Sequence, residues 1–376
     1  MRVLHIITGL GVGGAEQQLR LLVRHLPAKC EVITLTNPGQ VADGLAADGV
    51  RVINLGMRGN RDLGALFRLA GQIRAGRYDV VHTHLYRACV YGRIAARLAG
   101  VRAVVATEHS LCATRLEGRT LNTGIRALYL ATERLGRVTA AVSPTVAGLL
   151  RRWGVPDERI HVVPNGIDAA RFQFDEVRRK EARAFYGLPE DAYVVGCIGR
   201  LVPAKRFDVA VRTMALLPGD VRLLLAGAGP EREELRRTAR ELGIADRVVL
   251  TGELPYLPDP RSDVPELPAL LSAMDVLAAP GTDETFGLAV LEALAAGLPV
   301  LYTTAPALAD LPPDAAPGAK CLTGGAETYA RELLRLRAAG PGERAVPDAV
   351  RHYGIERTAQ QLMDVYTAVL SGSTWK

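Results

Sequence analysis

Residues 276–302, VLAAPGTDETFGLAVLEALAAGLPVLY, combine two short apolar strands with a helix between them. Val276–Ala279 and Val300–Tyr302 have the length and composition of buried strands, and the apolar spacing between them predicts a helix over Phe286–Ala296. Because a strand–helix–strand connection joins parallel neighbours, the stretch predicts one βαβ unit of a parallel sheet. It also places Glu284 and Glu292 eight positions apart around the start of that helix.

The same alternation of strand and helix runs along the whole chain. Short apolar runs separated by helices indicate a parallel sheet that is covered on both faces. The other predicted strands are Val3–Thr8, Glu31–Leu35, Arg51–Leu55, Val80–His84, Ala103–Thr107, Thr139–Val142, His161–Val163, Tyr193–Ile198, Arg222–Ala226 and Val248–Thr251. The other predicted helices are Ala15–Leu26, Arg87–Ala99, Asn122–Leu135, Pro144–Trp153, Phe207–Leu217, Glu231–Leu242 and Ile355–Ser371.

Length and composition predict two domains. The 376 residues exceed what one ordinary core holds, and charged residues gather at Phe174–Lys180, so we place a linker near residues 174–190. The predicted fold is α/β, with two doubly wound parallel-sheet domains over residues 1–174 and 190–354. Ligands of such sheets bind beyond the carboxyl ends of the strands, and two sheets that face each other would form a cleft.

The net charge and the cysteine content limit which binding partners and which cellular compartment are expected for the protein. The net charge is +6, but no basic run reaches five residues or alternates with aromatics, which disfavours nucleic acid. Anionic small molecules or an anionic membrane surface suit this charge, and the basic amphipathic region Arg115–Arg137 could contact a membrane. The five cysteines are scattered without CxxC spacing, so a cytoplasmic protein is expected, with peripheral contact at the inner membrane face left open. The N-terminus is not typical of a signal peptide, and no apolar run reaches ~18 residues.

A glycine-rich loop, GLGVGGAE, follows the first predicted strand. Gly9, Gly11 and Gly14 match the G-x-G-x-x-G fingerprint of dinucleotide-binding folds. The ribose-binding acid is missing, since the one acid of the second strand, Glu31, lies at its amino end. An NAD site is therefore disfavoured. A loop that lets an anion or a sugar approach the helix start and a purely structural tight turn remain open.

Two cations follow the strand Tyr193–Ile198, in the sequence GRLVPAK. Arg200 lies just past the carboxyl end of the strand, and Lys205 lies at the start of the next helix. A guanidinium offers a planar fork to phosphate oxygens and an ammonium offers a point charge, so the pair suits a diphosphate. Two ordinary exposed cations are the alternative.

The glutamate pair predicts an elongated ligand. With a helix start near Phe286, the two carboxylates lie roughly 9–12 Å apart at ~1.5 Å per residue. This separation exceeds that of a shared-proton dyad and the ~5–9.5 Å used in glycoside hydrolysis. The amides of Phe286, Gly287 and Leu288 form a phosphate cradle between them, so a nucleotide sugar would fit. The alternatives are that Glu284 only complements the helix dipole and that Glu292 is an exposed helix acid.

Three histidines lie near the carboxyl ends of predicted strands. His109 follows Ala103–Thr107, where it could line the cleft or be a core or capping residue. His82 and His84 face one side of their strand, and the sequence offers no further ligands for a metal pair. We therefore predict structural or cleft-lining roles for His82 and His84, and no metal site.

The ordered set of motifs resembles the retaining glycosyltransferases of family 4, which have the two-domain GT-B fold. The resemblance covers nearly the whole chain and is specific as a set, although each motif alone is weak. The matching motifs are GGAE at 13–16, VHTH at 81–84, TEHS at 107–110, VPNGID at 163–168, GRLVPAK at 199–205, LLLAGAGP at 223–230 and E-x7-E at 284–292.

The resemblance implies a GT-B fold, in which two Rossmann-like domains face each other across a cleft and the helix 355–371 returns to the first domain. It also implies that a sugar is transferred from a nucleoside-diphosphate sugar donor, most often a UDP-sugar. Arg200 and Lys205 would hold the diphosphate, Glu284 would contact the sugar hydroxyls and Glu292 would bind the ribose. The implied catalytic residues are His109, Arg200, Lys205 and Glu284. The implied donor-binding residues are Gly13, Gly14, Asn165, Gly199, Phe286, Gly287, Leu288 and Glu292.

Several features bear on mechanism and on acceptor choice. The chain has no D-x-D motif, so we expect metal-independent transfer without a cofactor, in which cations and a helix end stabilise the leaving diphosphate. The family resemblance implies a front-face reaction with retention. Arg206 and Phe207 stand where the family often has glycine. The proline-rich segment Leu254–Pro268 is predicted to be an irregular loop or a flap that shapes acceptor choice.

The sequence leaves the acceptor and two rival functions open. The acceptor could be a lipid-linked glycan, a polysaccharide unit or an aminocyclitol-like natural product, and the donor sugar a hexose or an N-acetylhexosamine. A GT-B-fold epimerase or phosphorylase would share the donor site. A non-catalytic sugar-nucleotide binding protein is the third possibility, which the combination of Glu284, Arg200 and Lys205 disfavours.

Overall fold

A computed structural model describes residues 1–112, 115–117, 119–255 and 263–372 of the chain. The chain divides into two compact units. Unit 1 comprises Met1–Gly166 together with Ile355–Lys376, and unit 2 comprises Ile167–Gly354. None of the helices in the described ranges is both long and apolar enough to cross a membrane.

Unit 1 is built on a seven-stranded parallel sheet of order β3-β2-β1-β4-β5-β8-β9, beside a short antiparallel pair β6-β7. The order β3-β2-β1-β4-β5 is that of a doubly wound sheet. Its strands are β1 Arg2–Ile7, β2 Lys29–Thr34, β3 Arg51–Asn54, β4 Val80–His84, β5 Val104–Glu108, β6 Arg115–Leu116, β7 Arg119–Thr120, β8 Val138–Ala141 and β9 Ile160–Val162. Its helices are α1 Gly14–His25, α2 Gly39–Ala47, α3 Leu63–Gly76, α4 Tyr86–Leu98, α5 Thr123–Glu133, α6 Pro144–Trp153 and, after unit 2, α15 Ile355–Ser371.

Unit 2 repeats the design with a six-stranded parallel sheet of order β12-β11-β10-β13-β14-β15. Its strands are β10 Tyr193–Ile198, β11 Val221–Ala226, β12 Val248–Gly252, β13 Val276–Ala279, β14 Val300–Tyr302 and β15 Ala319–Cys321. Its helices are α7 Glu176–Phe185, α8 Phe207–Met214, α9 Arg232–Glu241, α10 Leu267–Ala273, α11 Leu288–Ala295, α12 Pro306–Ala309, α13 Ala326–Ala339 and α14 Asp348–His352.

The central strands of both sheets are buried on both faces, which is why they carry apolar runs without alternation. All five residues of β4 and all five of β5 are buried, and so are the four middle residues of β10. Helices cover the two faces. In unit 1, α3 and α4 pack on one face through Leu69, Ile73 and Ala95. The last helix, α15, packs with α1 and contributes Leu362 and Tyr366 to the core that includes Val3 and Val105. The predicted βαβ architecture is confirmed, with strand ends within two residues of expectation.

The segment predicted as a linker is a helix of unit 2. Residues 167–174 also group with unit 2, so contacts change units at residue 166 rather than at the predicted 174. Asp175 caps α7 through the amides of Val177 and Arg178, and α7 packs against α10. Arg183, which is 2% exposed, pairs with Asp275 at the start of β13. The charged residues that suggested a solvated linker therefore tie α7 to the sheet.

The proline-rich segment contains the start of a helix. Leu267 and Pro268 open α10, where proline is tolerated because a first-turn amide has no intrahelical acceptor. Our expectation of an irregular loop as far as Pro268 is therefore wrong at its end. Residues 256–262, which make up about half of the proposed flap, lie outside the described residues.

Candidate functional site

In unit 2, three neighbouring strands end at one edge of the sheet and bring their loops together. Strand β10 pairs with β13, and β13 pairs with β14. The amide of Thr282 donates to the carbonyl of Ala204 over 3.3 Å, which joins the loops that follow β13 and β10. The amide of Ala307 donates to the carbonyl of Phe286 over 2.9 Å, which joins the loops after β14 and β13. The predicted donor residues of unit 2 therefore share one edge of the sheet.

Lys205 and Glu284, far apart in sequence, form a direct ion pair between Nζ and Oε1. Both side chains are partly buried, at 25% and 19% exposure, so their charges are less screened than those of a surface pair. Arg200 lies nearby in the same loop as Lys205, is exposed, and has no ion-pair partner within the ranges that the structure describes. Within the described part of the chain, Arg200 is thus a cation without an ion-pair partner, and Lys205 is a cation paired with a carboxylate.

Helix α11 begins at Leu288, two residues later than predicted, because Gly287 adopts a left-handed conformation with φ of 100°. A Cβ on Gly287 would also lie 3.2 Å from the Cβ of Ala305. Phe286 is 2% exposed and packs edge-on against Tyr353, so only its backbone can face a ligand. The first amides of the helix lack intrahelical acceptors and therefore point a partial positive charge towards the loop that carries Glu284.

Glu292 lies in the second turn of α11 and is 5% exposed. The alternative that it is an exposed helix acid is therefore wrong. A carboxylate is costly to bury unless it is hydrogen-bonded. Its position on the same short helix as the Gly287 turn is consistent with a role at the far end of an elongated ligand.

Two backbone loops are interlocked where β10 and β11 end. The amide of Gly199 donates to the carbonyl of Ala226, and the amide of Leu201 donates to that of Ala228, each over 2.9 Å. Gly227 has φ of 145°, and a Cβ there would lie 2.0 Å from the carbonyl oxygen of Gly199. Gly227, the first glycine of LLLAGAGP, is thus required for the conformation that presents Gly199 and Arg200.

In unit 1, the glycine loop ends in the first turn of α1. Gly13 caps the helix in an extended conformation, and Gly14 is its first residue. Glu31, the acid considered for a ribose, pairs instead with Arg2 and Arg51 at the other end of β2. Glu31 therefore has a structural role at that end of the strand.

Asn165 lies in a segment that a glutamine of α1 holds in place. Its side chain is 9% exposed. Next to it, Gln18 donates from Nε2 to the carbonyl of Gly166 over 2.8 Å and accepts from the amide of Gly166 over 3.0 Å. Gln18 was not predicted as a site residue, because an amide four residues into a helix carries no distinctive signal in the sequence.

A chain of histidines reaches His109 from the interior of unit 1. His5 Nδ1 lies 3.1 Å from His84 Nε2, and His84 Nδ1 lies 3.1 Å from His109 Nε2. His82, beside them, bonds to Tyr366 and Thr107. Nitrogens of His5, His82 and His84 lie within 4.8 Å of one another, so the third imidazole that the sequence analysis did not find comes from β1. His5 was recognisable only once β1 and β4 were known to be neighbours.

Burial governs the ionisation of this cluster. It lowers the pKa of His5 to about 3 and that of His109 to about 4, and it holds the pKa values of His82 and His84 well below their usual range. The imidazoles are therefore neutral at pH 7. Glu108, on the same strand end, has a pKa raised to about 7 by burial.

Unit 1 is expected to lose stability on mild acidification. Histidines with a lowered folded pKa are destabilising below an unfolded pKa of about 6.5. His5 and His109 together cost about 2.5 kcal/mol between pH 7 and 5.5, and His82 and His84 add to this loss. Glu108 has the opposite effect because its pKa is raised. Its protonation stabilises the folded unit by about 1.5 kcal/mol over the same interval. Urea unfolding followed by tryptophan fluorescence should show a net loss of at least about 1 kcal/mol. Glu108→Gln should enlarge that loss, whereas equal stability at both pH values would contradict the assignment.

Comparison with known protein families covers both units. The family model described as Glycosyltransferase Family 4 matches residues 12–171, and the model described as Glycosyl transferases group 1 matches residues 192–338. The first match ends at residue 171, just past the boundary between the units at residue 166, and the second begins at residue 192, inside unit 2.

Individual proteins extend this result. A D-inositol 3-phosphate glycosyltransferase of Salinispora tropica is 31% identical over 315 residues, which are 78% of this chain and 64% of that protein. A 2-deoxystreptamine glucosyltransferase of Streptomyces kanamyceticus is 29% identical over 270 residues, 69% of this chain and 68% of that protein. The chain thus spans about two thirds of the length of these relatives. The structure of Anabaena HepE with UDP and glucose has a TM-score of 0.82 at 20% identity and covers 98% of this chain and 100% of that one. This likeness confirms the predicted GT-B fold class.

Proposed function

Because the chain belongs to glycosyltransferase family 4 and is a glycosyltransferase, we propose that it moves a hexose or an N-acetylhexosamine from a UDP-sugar to an acceptor hydroxyl. The anomeric configuration is retained, and no metal is required. The observation that carries this proposal is the Lys205–Glu284 ion pair at the edge of the sheet where α11 begins.

The donor would lie along that edge with its diphosphate at the cations. Arg200 and Lys205 bind diphosphate oxygens, and the first amides of α11 add hydrogen bonds to the same charge. As the leaving diphosphate gains charge in the transition state, these preorganised groups stabilise it. Glu284, already held by Lys205, accepts hydrogen bonds from the sugar hydroxyls, and Glu292 binds the ribose.

Uridine is proposed as the base because HepE, whose fold this chain shares, binds UDP and UDP-glucose. The absence of a D-x-D motif supports metal-independent transfer, since the diphosphate charge has cationic partners in Arg200 and Lys205. Melting temperatures with UDP, GDP, ADP, UDP-glucose, UDP-N-acetylglucosamine and NAD, each with EDTA or with Mg²⁺, test the donor proposal. Stabilisation by UDP species in EDTA supports it, and stabilisation only with Mg²⁺ or only by NAD overturns it.

A cyclitol or aminocyclitol is the proposed acceptor class. The relatives named above act on D-inositol 3-phosphate and on 2-deoxystreptamine, both of which are six-membered carbocycles with several hydroxyls. Turnover of each with UDP-glucose and UDP-N-acetylglucosamine tests this class. The coupling constant of the anomeric proton in the product would report an axial linkage for retention and an equatorial one for inversion.

Lys205→Ala should weaken UDP binding by about tenfold to hundredfold, because a hydrogen bond to a charged group contributes about 1.5–3 kcal/mol. Calorimetric titration with UDP in EDTA measures the change. Lys320→Ala is the matched control, since Lys320 is exposed and pairs with Glu332 away from this edge. Equal UDP affinity of Lys205→Ala and the control would remove Lys205 from the donor site.

A further inference from the structure

The start of helix α4 lies where a ligand of unit 1 is expected. The strand order of the sheet reverses between β1 and β4, and doubly wound sheets bind ligands beyond the carboxyl ends of the strands at such a switch point. Helix α4 follows β4 directly and begins at Tyr86, two residues after His84. His84 in turn lies 3.1 Å from His109, the histidine expected to be catalytic. An acceptor bound to unit 1 should therefore lie close to the first turn of α4.

This helix start is already occupied by a carboxylate of the protein itself. The residue before the helix, Leu85, has no side-chain acceptor for the first amides. Instead, the amide of Tyr86 donates to Oε1 of Glu117, which lies 31 positions later in the chain. The amide of Ala88 donates to Thr8 Oγ1 over 3.4 Å. Two of the amides that could hold an anion at this helix end are thus taken by side chains from two other loops.

The contact between Glu117 and the helix start is held from both sides. Leu85 and Glu117 have positive φ values of 72° and 51°, which are uncommon for residues other than glycine and persist only where the surrounding structure holds them. The ring of Tyr86 stacks on that of Tyr129, with centroids 6.3 Å apart, and its hydroxyl donates to the carbonyl of Ile125 over 3.3 Å. Glu117 therefore closes a helix start that α5 keeps in place.

A second carboxylate lies near the first. Glu108, the last residue of β5, is 1% exposed, and its Oε2 has no hydrogen-bond partner among the described residues. Burial and then the charge of Glu117 raise the pKa of Glu108, so the two acids are within electrostatic range, whereas the charge of Arg93 lowers it. Arg87 supplies a cation in the first turn of α4, and its charge acts on Tyr91, one turn further along. A phosphate would thus have to displace one carboxylate and approach another.

We propose that Glu117 is a specificity-determining residue that closes the start of α4 to phosphate, so that the acceptor is a cyclitol without a phosphate group. A ring that carries only hydroxyls or amines needs no anion site at this helix end, whereas a phosphorylated ring does. The acceptor assignment rests on the proposed function. Closure to phosphate is a property of the free protein.

Titration of the ligand-free protein with inorganic phosphate tests the closure directly. The amide signal of Tyr86 in ¹⁵N-tyrosine-labelled protein is the readout, because phosphate bound to the cations of unit 2 would not move it, and Tyr86→Phe assigns it among the 11 tyrosines. We expect no shift in the wild type and a saturable shift in Glu117→Ala, which takes the carboxylate away from this amide. Glu117→Gln keeps an acceptor oxygen and should remain closed.

Glu158→Ala is the matched control for the loss of one negative charge. Glu158 is exposed and precedes β9, at the amino edge of the sheet, opposite to the start of α4. This variant should leave the Tyr86 signal insensitive to phosphate. A saturable shift in the wild type would overturn the proposal, and so would an unmoved signal in a folded Glu117→Ala protein.

Initial rates with UDP-glucose test the consequence for the acceptor. We expect kcat/KM of the wild type to be at least about tenfold higher for unphosphorylated inositol or 2-deoxystreptamine than for D-inositol 3-phosphate. Glu117→Ala should move this ratio towards the phosphorylated ring by about tenfold or more, the effect of one hydrogen bond to a charged group. A wild type that prefers the phosphorylated ring would contradict the proposal. If no cyclitol is turned over, the proposed acceptor class fails, and the phosphate titration still decides whether Glu117 closes the helix start.

Discussion

Glu284→Gln is expected to reduce turnover about a thousandfold, the loss found when one preorganised electrostatic contact is removed from a transition state. The amide keeps the shape of the side chain but loses the charge that pairs with Lys205. It also turns one acceptor oxygen towards the sugar into a donor. Lys205 remains available to the diphosphate, so the affinity for UDP should change by less than about tenfold.

The split between turnover and UDP affinity is what identifies Glu284 as a sugar contact. Initial rates with saturating UDP-sugar and acceptor, beside calorimetry with UDP, measure both quantities. Glu234→Gln is the matched control because Glu234 is an exposed acid of α9 that pairs with Arg237. Full turnover in Glu284→Gln would remove it from the site, and a parallel collapse of UDP affinity would place it at the diphosphate instead.

Gly227→Ala should destabilise unit 2 by about 3 kcal/mol or more and abolish donor binding. The dihedral φ of 145° is nearly restricted to glycine and costs about 1–3 kcal/mol for alanine, before any contact is counted. The added Cβ would lie 2.0 Å from the carbonyl oxygen of Gly199, which is backbone and cannot rotate away. Relief requires the loop of Gly199 and Arg200 to move, and Arg200 moves with it.

Urea unfolding followed by circular dichroism, together with the UDP-induced shift in melting temperature, tests Gly227→Ala. Gly219→Ala is a suitable control because a Cβ there meets no atom within 4 Å. Its effect on stability should be small or favourable. If Gly227→Ala unfolds like the wild type and still responds to UDP, the interlocked loops do not position Arg200.

The architecture was predictable because strand and helix periodicity is a local property. Ile6 and Val81 belong to runs that only a doubly covered sheet explains, and they are fully buried. Helix α7 was missed because Arg179 and Arg183 suggest solvent, whereas their partner, Asp275, lies more than ninety positions away. Such long-range ion pairs produce no periodic pattern in the sequence from which they could be predicted.

Which residues belong to the candidate site was easier to predict from the sequence than how those residues are arranged. The spacing of Glu284 and Glu292 indicated one elongated ligand, but the contact between Lys205 and Glu284 depends on β10 and β13 being neighbours. The start of α11 was misplaced by two residues because the positive φ of Gly287 overrides helix propensity. His5 and Gln18 became relevant only through the register of β1 and the packing of α1.

The interrupted course of unit 1 has a consequence during protein synthesis. The chain leaves unit 1 after Gly166 and re-enters it at Ile355, so unit 2 is a contiguous insertion. Unit 2 can therefore complete its folding on the ribosome while the first 166 residues still lack α15. Until then, Tyr366, one of the two partners of His82, is absent from the nascent unit, and the apolar surface that Leu362 covers is exposed. A ribosome that stalls before the last helix would thus release a protein with one finished half and one half recognisable to chaperones.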